Sequence, residues 1–296
     1  MPKGLKGEIS RLIEWSDMGI FRRGNGLFLD NHADAGMPAG EAVRGASHAI
    51  SENDAVYTAL KLCLEGHSCI PVTDRTGKEF RGLVTSRNLL DLLGGGDLNQ
   101  IFVSRKDGMK TPVSKVMETD IAEMGRSCSL GEALSVFKRT GEEVIPLVEK
   151  GRLDGVIRES DIVRHIAGTT GVKVWELMTS KPVVARNVHP VSEVAGMIAR
   201  GGYRRLPVVR DGFLTGIVGA TDILRYLREN GNMLSLRKDR GEIQNAMNKL
   251  VQSVTPGADV FEAARVMSEK GVCILPVVDH YQLIGVLTHR DIIDAM

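Results

Sequence analysis

Residues 271–291 read Gly271-Val-Cys-Ile-Leu-Pro276-Val-Val-Asp-His-Tyr-Gln-Leu-Ile-Gly285-Val-Leu-Thr288-His-Arg290-Asp291. The apolar run around Pro276 occurs three more times in the chain, as Cys69-Ile-Pro71-Val-Thr, Val144-Ile-Pro146-Leu-Val and Arg205-Leu-Pro207-Val-Val. A glycine lies five residues before each of these prolines, at Gly66, Gly141, Gly202 and Gly271. Repetition at a constant register indicates four copies of one structural unit.

Each copy predicts the same order of secondary structure. Before the glycine, apolar residues recur at intervals of three and four, as in a helix, and residues 260–270 show this best. Glycine is the residue type that most often ends a helix in the left-handed conformation. The proline-bearing strand is followed by a second apolar strand and then by another helix. We therefore predict an α/β fold of the α+β type, built from four tandem βαββα units.

The copies are expected to dock on one another in two pairs, because a unit of roughly 60 residues buries too little surface to be stable alone. We expect the first pair to span residues 39–168, with copies at 39–93 and 113–168. The second pair spans residues 169–296, with copies at 173–228 and 242–296. Residues 1–38 form an N-terminal extension to which the sequence assigns no role.

Composition excludes several classes of protein. The chain has 296 residues, of which 38 are basic and 37 acidic, so no net field favours nucleic acid or a membrane surface. The four cysteines stand singly, which is typical of buried thiols in a reducing compartment. No apolar run approaches the roughly 18 residues of a membrane span. We expect a cytoplasmic protein with no membrane partner.

Catalytic and metal-binding motifs are absent from the sequence. The seven histidines form no H-x-x-x-H pair, and there is neither a G-x-S-x-G elbow nor a G-x-x-x-x-G-K-[ST] loop. Glu142 and Glu143 are adjacent, which we interpret as a charge pair at a helix end. The sequence therefore predicts no enzyme, no catalytic cofactor and no metal site.

The pattern of an apolar residue, Pro-Val-Val-Asp, a turn, and Gly-h-h-Thr-x-x-Asp before a helix resembles the CBS (cystathionine β-synthase) domain. The resemblance covers about residues 38–296, and tandem pairs of such domains are called Bateman modules. Four copies in one chain are similar to the γ subunit of AMP-activated protein kinase. The resemblance implies a regulatory protein that binds AMP, ADP, ATP, S-adenosylmethionine or NAD in clefts between paired copies. In that family the acidic residue at the end of the motif binds the ribose hydroxyls.

Local chemistry agrees with this implication but also offers a simpler explanation. A carboxylate at a helix start can accept hydrogen bonds from two ribose hydroxyls, and a helix N-terminus favours anions. Thr288 and Asp291 would equally well form a helix N-cap that needs no ligand. In copies two and three Arg158 and Gly219 replace the threonine although the acid remains, which favours binding.

The four clefts are predicted to be unequal. Copy four matches the family motif completely, with Arg290 where a phosphate could be met. Copy three has the acid and a hydroxyl, with two arginines before its proline that are either phosphate ligands or a solvated basic edge. Asparagine weakens the first cleft because it lacks the charge of a carboxylate. In copy two Arg158 is expected to fill the cleft. The candidate residues are Thr288, Arg290 and Asp291; Thr221, Asp222, Arg204 and Arg205; Thr85, Arg87 and Asn88; and Ser160 and Asp161.

We expect two occupied clefts, both in the second pair. The segments that lead into copies three and four, residues 179–184 and 249–254, are expected to line the adenine pockets, with Thr179, Val183 and Val184 in contact with the ligand. Signalling requires a protein effector that the sequence does not name, and self-association through the pairs is expected from the resemblance. The alternative is a scaffold or nucleic-acid-binding regulator, although aromatic residues for base stacking are scarce, at 4%.

Overall fold

The computed structural model describes residues 36–43, 48–95, 108–166, 168, 170–231, 236 and 239–296. Most of the N-terminal extension, residues 1–35, lies outside this part of the chain. The first copy contains α1 (Ala39–Ala42), β1 (Ile50–Ser51), α2 (Val56–Leu64), β2 (Cys69–Thr73), β3 (Phe80–Thr85) and α3 (Ser86–Leu90), followed by a π-helical turn at Asp91–Gly95. The second contains α4 (Leu130–Thr140), β4 (Val144–Glu149), β5 (Arg152–Arg158) and α5 (Glu159–Val163), after short 3₁₀ turns at Gly108–Lys110 and Val113–Lys115.

The third and fourth copies repeat the order. The third contains α6 (Val174–Leu177), β6 (Ala185–Arg186), α7 (Val191–Gly201), β7 (Arg205–Arg210), β8 (Phe213–Gly219) and α8 (Ala220–Glu229). The fourth contains a 3₁₀ turn at Ile243–Asn245, α9 (Val260–Lys270), β9 (Ile274–Asp279), β10 (Gln282–Thr288) and α10 (His289–Ala295). In copies two and four the first strand of the unit is reduced to a single bridge, Met124 to Leu147 and Val254 to Val277. The predicted βαββα order is thus confirmed.

Three of the four glycines that define the repeat end their helices as predicted, whereas in the first copy α2 ends at Leu64 and Glu65 takes the cap position before Gly66. Gly141, Gly202 and Gly271 follow α4, α7 and α9 with φ of 75°, 70° and 63°, the left-handed region that a side chain disfavours. The four prolines also occupy one register, because each pairs with the equivalent residue of the next strand. These partners are Leu83, Val156, Ile217 and Val286.

Within each pair, contact is made by strands and by exchanged leading segments. The second pair forms one five-stranded sheet in the order β6-β7-β8-β10-β9, whereas the sheets of the first pair, β1-β2-β3 and β4-β5, touch through a Glu79–Arg152 bridge. The residue that leads into one copy bridges to the last strand of its partner, as Thr179 does to Val286 and Glu118 to Leu83. A Cβ on Gly285 would lie 3.0 Å from the Thr179 carbonyl oxygen, so the bridge leaves little room for a side chain at this position.

The apolar cores join copies of different pairs. One core contains Leu89 and Leu90 of the first copy with Ile223 and Leu224 of the third, and α3 packs against α8. The other contains helices α5 of the second copy and α10 of the fourth. Strands therefore hold each pair together, while buried helix faces hold the two pairs to each other. Residues of all four copies line one small cavity, which we call the central cavity.

Candidate functional site

Asp291 stands at the start of α10 with its two carboxylate oxygens in different roles. Oδ2 accepts hydrogen bonds from the Thr288 backbone N–H at 2.7 Å and from the Thr288 hydroxyl at 2.6 Å. Oδ1 accepts one from the hydroxyl of Thr179 at 3.3 Å, in the leading segment of the third copy. Burial raises the pKa of Asp291. Capping therefore uses one oxygen, and the other faces the leading segment.

Asp291 opens into a cavity of about 480 Å³, which we call the Asp291 cavity. This volume is within the usual range of small-molecule sites. Its wall has an apolar part, formed by Pro182, Val183, Leu206, Pro207, Ile274 and Val286, and a polar part, formed by Arg87, Glu142, Glu143, Thr179, Tyr203, Arg204, Arg205, Thr288, Arg290 and Asp291. The structure thus brings Thr179, Val183 and Asp291 together at one cavity, and their contact with a ligand stays a prediction. Val184 is not among the lining residues.

Arg290 reaches the wall of the cavity, but its guanidinium is engaged elsewhere. Nη1 and Nη2 donate to the carbonyl oxygens of Phe137 and Lys138 at 2.6 and 3.0 Å, at the C-terminal end of α4. The negative end of the α4 dipole favours such a cation. Arg87 of copy one makes the equivalent contact with the carbonyl of Gly202 after α7, at 3.2 Å. Both arginines thus form hydrogen bonds between copies. A contact of Arg290 with phosphate stays a prediction.

Arg204 and Arg205 are adjacent in sequence but differ in environment. Arg204 forms ion pairs with Glu143, at 2.5 Å, and with Glu159, and its side chain is only 24% exposed. Interpreting Arg204 as part of a solvated basic edge is therefore wrong. Glu143 lies just after the end of α4, as expected, and also forms an ion pair with Arg204. For Arg205 the described residues provide no ion pair, and its side chain lines the Asp291 cavity. Arg205 is the arginine available to an anion.

Glu159 is a buried carboxylate that sequence analysis missed. Glu159 is 1% exposed, and this burial raises the pKa of its carboxyl group. Its Oε1 atom has no hydrogen-bond partner among the described residues. The position was visible in the repeat, because Ser86, Ala220 and His289 are its equivalents one residue into each helix. Nothing in its own copy identifies Arg204 as its partner, since Arg204 comes from the third copy.

A second cavity, of about 510 Å³, is lined by Asp222 and is called the Asp222 cavity. Asp222 Oδ2 accepts from the Gly219 N–H at 2.8 Å, and Oδ1 accepts from Arg225 at 3.4 Å. Its other lining residues include Arg158, Ser160, Arg204, Arg205, Thr221 and His289. Residues 249–254 are not among the lining residues of the cavities described here, so their predicted place at an adenine pocket has no support from this geometry.

The asparagine of the first copy faces an acid. Asn88 Oδ1 accepts from the Thr85 N–H and hydroxyl at 2.8 and 2.6 Å, which preserves the helix cap. Its Nδ2 donates to Glu118 Oε1 at 2.7 Å, where copy four has Thr179 facing Asp291. In the first pair the carboxylate therefore belongs to the leading segment, as Glu118, whereas in copy four it belongs to the helix start, as Asp291. Thr85 and Arg87 line a small central cavity of about 90 Å³, but Asn88 lines none of the three cavities.

In the second copy Asp161 is occupied by structural contacts. Oδ2 accepts from the Arg158 N–H at 2.8 Å, and Oδ1 pairs with Arg164 at 2.9 Å. Asp161 is buried and lines none of the three cavities, although Ser160 beside it lines the Asp222 cavity. Within the described ranges there is no cluster of three or more metal-ligating side chains. A search of the same residues finds no helix long and apolar enough to cross a membrane.

Comparison with known proteins identifies the fold. The CBS domain family matches at residues 40–95, 113–168, 174–229 and 241–296. Protein MJ1225 of Methanocaldococcus jannaschii is 24% identical over 241 residues, which are 76% of this chain and 85% of the relative. Its crystal structure, described as that of an archaeal homologue of the AMP-activated protein kinase γ subunit, has a TM-score of 0.79 at 22% identity and covers 87% of this chain and 99% of that chain.

Two ligand complexes of single CBS pairs are also similar to part of the chain. The pair of protein MJ0100 with 5′-methylthioadenosine and S-adenosyl-L-methionine is 26% identical, covers 41% of this chain and 92% of its own, and has a TM-score of 0.36. CBSX2 with AMP is 26% identical, covers 42% and 96%, and has a TM-score of 0.38. The four matches to the family account for most of the chain and coincide with the four copies, and the chain therefore belongs to the CBS domain family.

Proposed function

We propose that this chain is a non-catalytic regulatory protein that binds an adenosine-containing ligand in the Asp291 cavity. The observation that carries the proposal is the geometry of Asp291. One carboxylate oxygen is held by the helix cap, and the other faces the leading segment at the edge of a cavity of ligand size. Such a fixed carboxylate is suited to accept hydrogen bonds from the vicinal hydroxyls of a ribose.

The wall of the cavity suits the two ends of such a ligand. Pro182, Val183 and Ile274 offer apolar surface on which an adenine ring can lie. Arg205 supplies a guanidinium that no carboxylate of the described residues neutralises, so a phosphate can bind there. The adenosine moiety is common to AMP, ADP, ATP, S-adenosylmethionine and NAD. What distinguishes these ligands is the group on the 5′ carbon, which the polar side of the cavity would contact.

The Asp222 cavity is proposed as a second site of the same kind. Asp222 and Thr221 lie at the start of α8, and Arg205 borders this cavity as well. Both proposed sites then belong to the second pair. The cap and ion-pair contacts of Asn88 and Asp161 leave the first pair with a structural role.

Ligand binding is proposed to be transmitted through the contact between the pairs. The Asp291 cavity is lined by all four copies, since Arg87 and Glu142 of the first pair border it. A ligand that prefers one arrangement of the copies shifts the protein toward that arrangement. A protein effector that recognises this packing would receive the signal. We also propose self-association through the pairs, which sedimentation tests.

Calorimetric titration with AMP, ADP, ATP, S-adenosylmethionine and NAD tests the proposal. Asp291→Asn keeps the shape but removes the charge, so the affinity for the preferred ligand should fall about tenfold to a hundredfold. Asp161→Asn is the matched control, because it changes the equivalent residue of a copy whose acid lines no cavity. Thermal melts verify that both variants are folded. Unchanged affinity in Asp291→Asn would refute the site.

A further inference from the structure

One position of the repeat lines the same small cavity in every copy. The residues three before each proline are Ser68, Glu143, Arg204 and Cys273, and all four line the central cavity of about 90 Å³. Of these equivalent residues, one is acidic, one is basic and two are uncharged. A cavity that served only to bind anions would have basic residues at this position in several copies. Here the one basic residue, Arg204, is paired with the one acidic residue, Glu143.

Arg204 is held by two carboxylates of the second copy. Its Nε lies 2.5 Å from Glu143 Oε1, and its Nη1 forms an ion pair with Glu159 Oε2. The three side chains are 24%, 45% and 2% exposed in the order Arg204, Glu143, Glu159. Removing Arg204 from Glu159 would leave a buried carboxylate without a counter-charge, and this is strongly unfavourable. Arg204 is therefore not free to follow a ligand.

This ion cluster borders the proposed ligand site. Arg204, Arg205, Glu142 and Glu143 all line the Asp291 cavity. A single phosphate can bind to Arg205. Glu142 and Glu143 line the same wall, so further phosphates would approach their carboxylates and would compete with two carboxylates for Arg204. Arg87 also lines this wall, but its guanidinium already donates to the Gly202 carbonyl oxygen. Repulsion between like charges across a partly buried site reduces affinity and thereby creates specificity.

We propose that Glu143 and Glu159 determine specificity by acting as fixed counter-ions of Arg204, so that the Asp291 cavity prefers adenosine compounds with at most one phosphate over the triphosphate. The proposal rests on the proposed function, because it concerns the same cavity. It separates two arginines that stand side by side: Arg205 binds the ligand, and Arg204 is neutralised within the protein.

Calorimetric titration with adenosine, AMP and ATP in the presence of EDTA tests this, using the full chain, Glu143→Gln and Arg205→Gln. In the unsubstituted protein ATP should bind at least about tenfold more weakly than AMP. Glu143→Gln should raise ATP affinity about tenfold and leave adenosine affinity within a factor of about two, since adenosine carries no phosphate. Glu159 still pairs with Arg204 in this variant, which preserves folding. Arg205→Gln should weaken AMP about tenfold.

Glu262→Gln is the control for a change of net charge, because Glu262 is exposed on α9 and lines none of the three cavities. It should leave all three affinities unchanged. Tighter binding of ATP than of AMP to the unsubstituted protein would overturn the specificity proposal. The proposal would also be overturned if Glu143→Gln raised the affinities for adenosine and for ATP by the same factor. Failure of all three ligands to bind any form would instead overturn the proposed function itself, so the two failures are distinguishable.

Discussion

His289 should make the stability of this protein depend on pH in a way that one substitution removes. The residue begins α10, is 5% exposed, and lines the Asp222 cavity. Burial, followed by the positive charge of Arg204, lowers the pKa of His289 from 6.5 to about 4. The folded protein therefore keeps this imidazole neutral at pH values where the unfolded chain would protonate it.

The sign and size follow from this difference in pKa. Above pH 6.5 the imidazole is neutral in both states, and the full stability is present. As the pH falls below 6.5 the unfolded chain takes up the proton first, so the free energy of unfolding decreases. The loss attributable to His289 is about 2 kcal/mol at pH 5 and approaches about 3 kcal/mol near pH 4.

Urea unfolding of the unsubstituted protein and of His289→Gln at pH 7.5, 6 and 5, followed by circular dichroism, measures this term. Other titrating groups affect both proteins alike, so the informative quantity is the difference between them. Between pH 7.5 and pH 5 that difference should shift by about 2 kcal/mol in favour of the variant. A difference that is constant with pH, or that shifts toward the unsubstituted protein, would refute the reasoning.

Three further predictions concern the contacts between copies. Arg290→Ala removes the donors to the last carbonyl oxygens of α4, so the free energy of unfolding measured in urea titrations should fall by about 1–3 kcal/mol. Arg290→Lys keeps the positive charge and should keep part of this stabilisation. Asn88→Asp places a second carboxylate against Glu118 at a site 9% exposed, so it should lower the melting temperature, and an added Glu118→Thr, which recreates the pair of copy four, should restore it. An unaltered melting temperature in Asn88→Asp would contradict this. Gly285→Ala puts a Cβ 3.0 Å from the backbone carbonyl oxygen of Thr179 and should shift the leading segment and weaken AMP binding, while Gly257→Ala, where a Cβ meets nothing within 4 Å, should bind normally.

The candidate site was predictable in those parts that depend on one copy. Asp291 and Thr288 stand three residues apart at a helix start, and that spacing alone places a carboxylate at the cap. Val183 and Thr179 were expected at the site because the resemblance to CBS domains implies that the segment at the start of a copy lines the adenine pocket. Glu118 was not predicted, because the sequence does not state that the segment leading into copy two lies against Asn88.

Roles that depend on contacts between copies could not be predicted from the sequence either, because it does not state which copies lie against each other. Arg204 and Arg205 are indistinguishable as neighbours in a basic dipeptide. Their difference arises because Glu159, forty-five residues earlier in another copy, lies against one of them. Arg290 was predicted to meet a phosphate, but its guanidinium bonds to the end of α4, which only the packing of copy four on copy two brings within reach.

The sequence by itself determined the repeating unit, its βαββα order and the helix ends. These features rest on short-range chemistry: the period of apolar residues, the left-handed freedom of glycine, and the capping spacing. Only the tertiary structure decided which copies share a core, which carboxylate faces which leading segment, and which arginine is neutralised. A repeat in perfect register is compatible with several arrangements of its copies, and the choice among them depends on the burial of helix faces and the pairing of charges far apart in the chain.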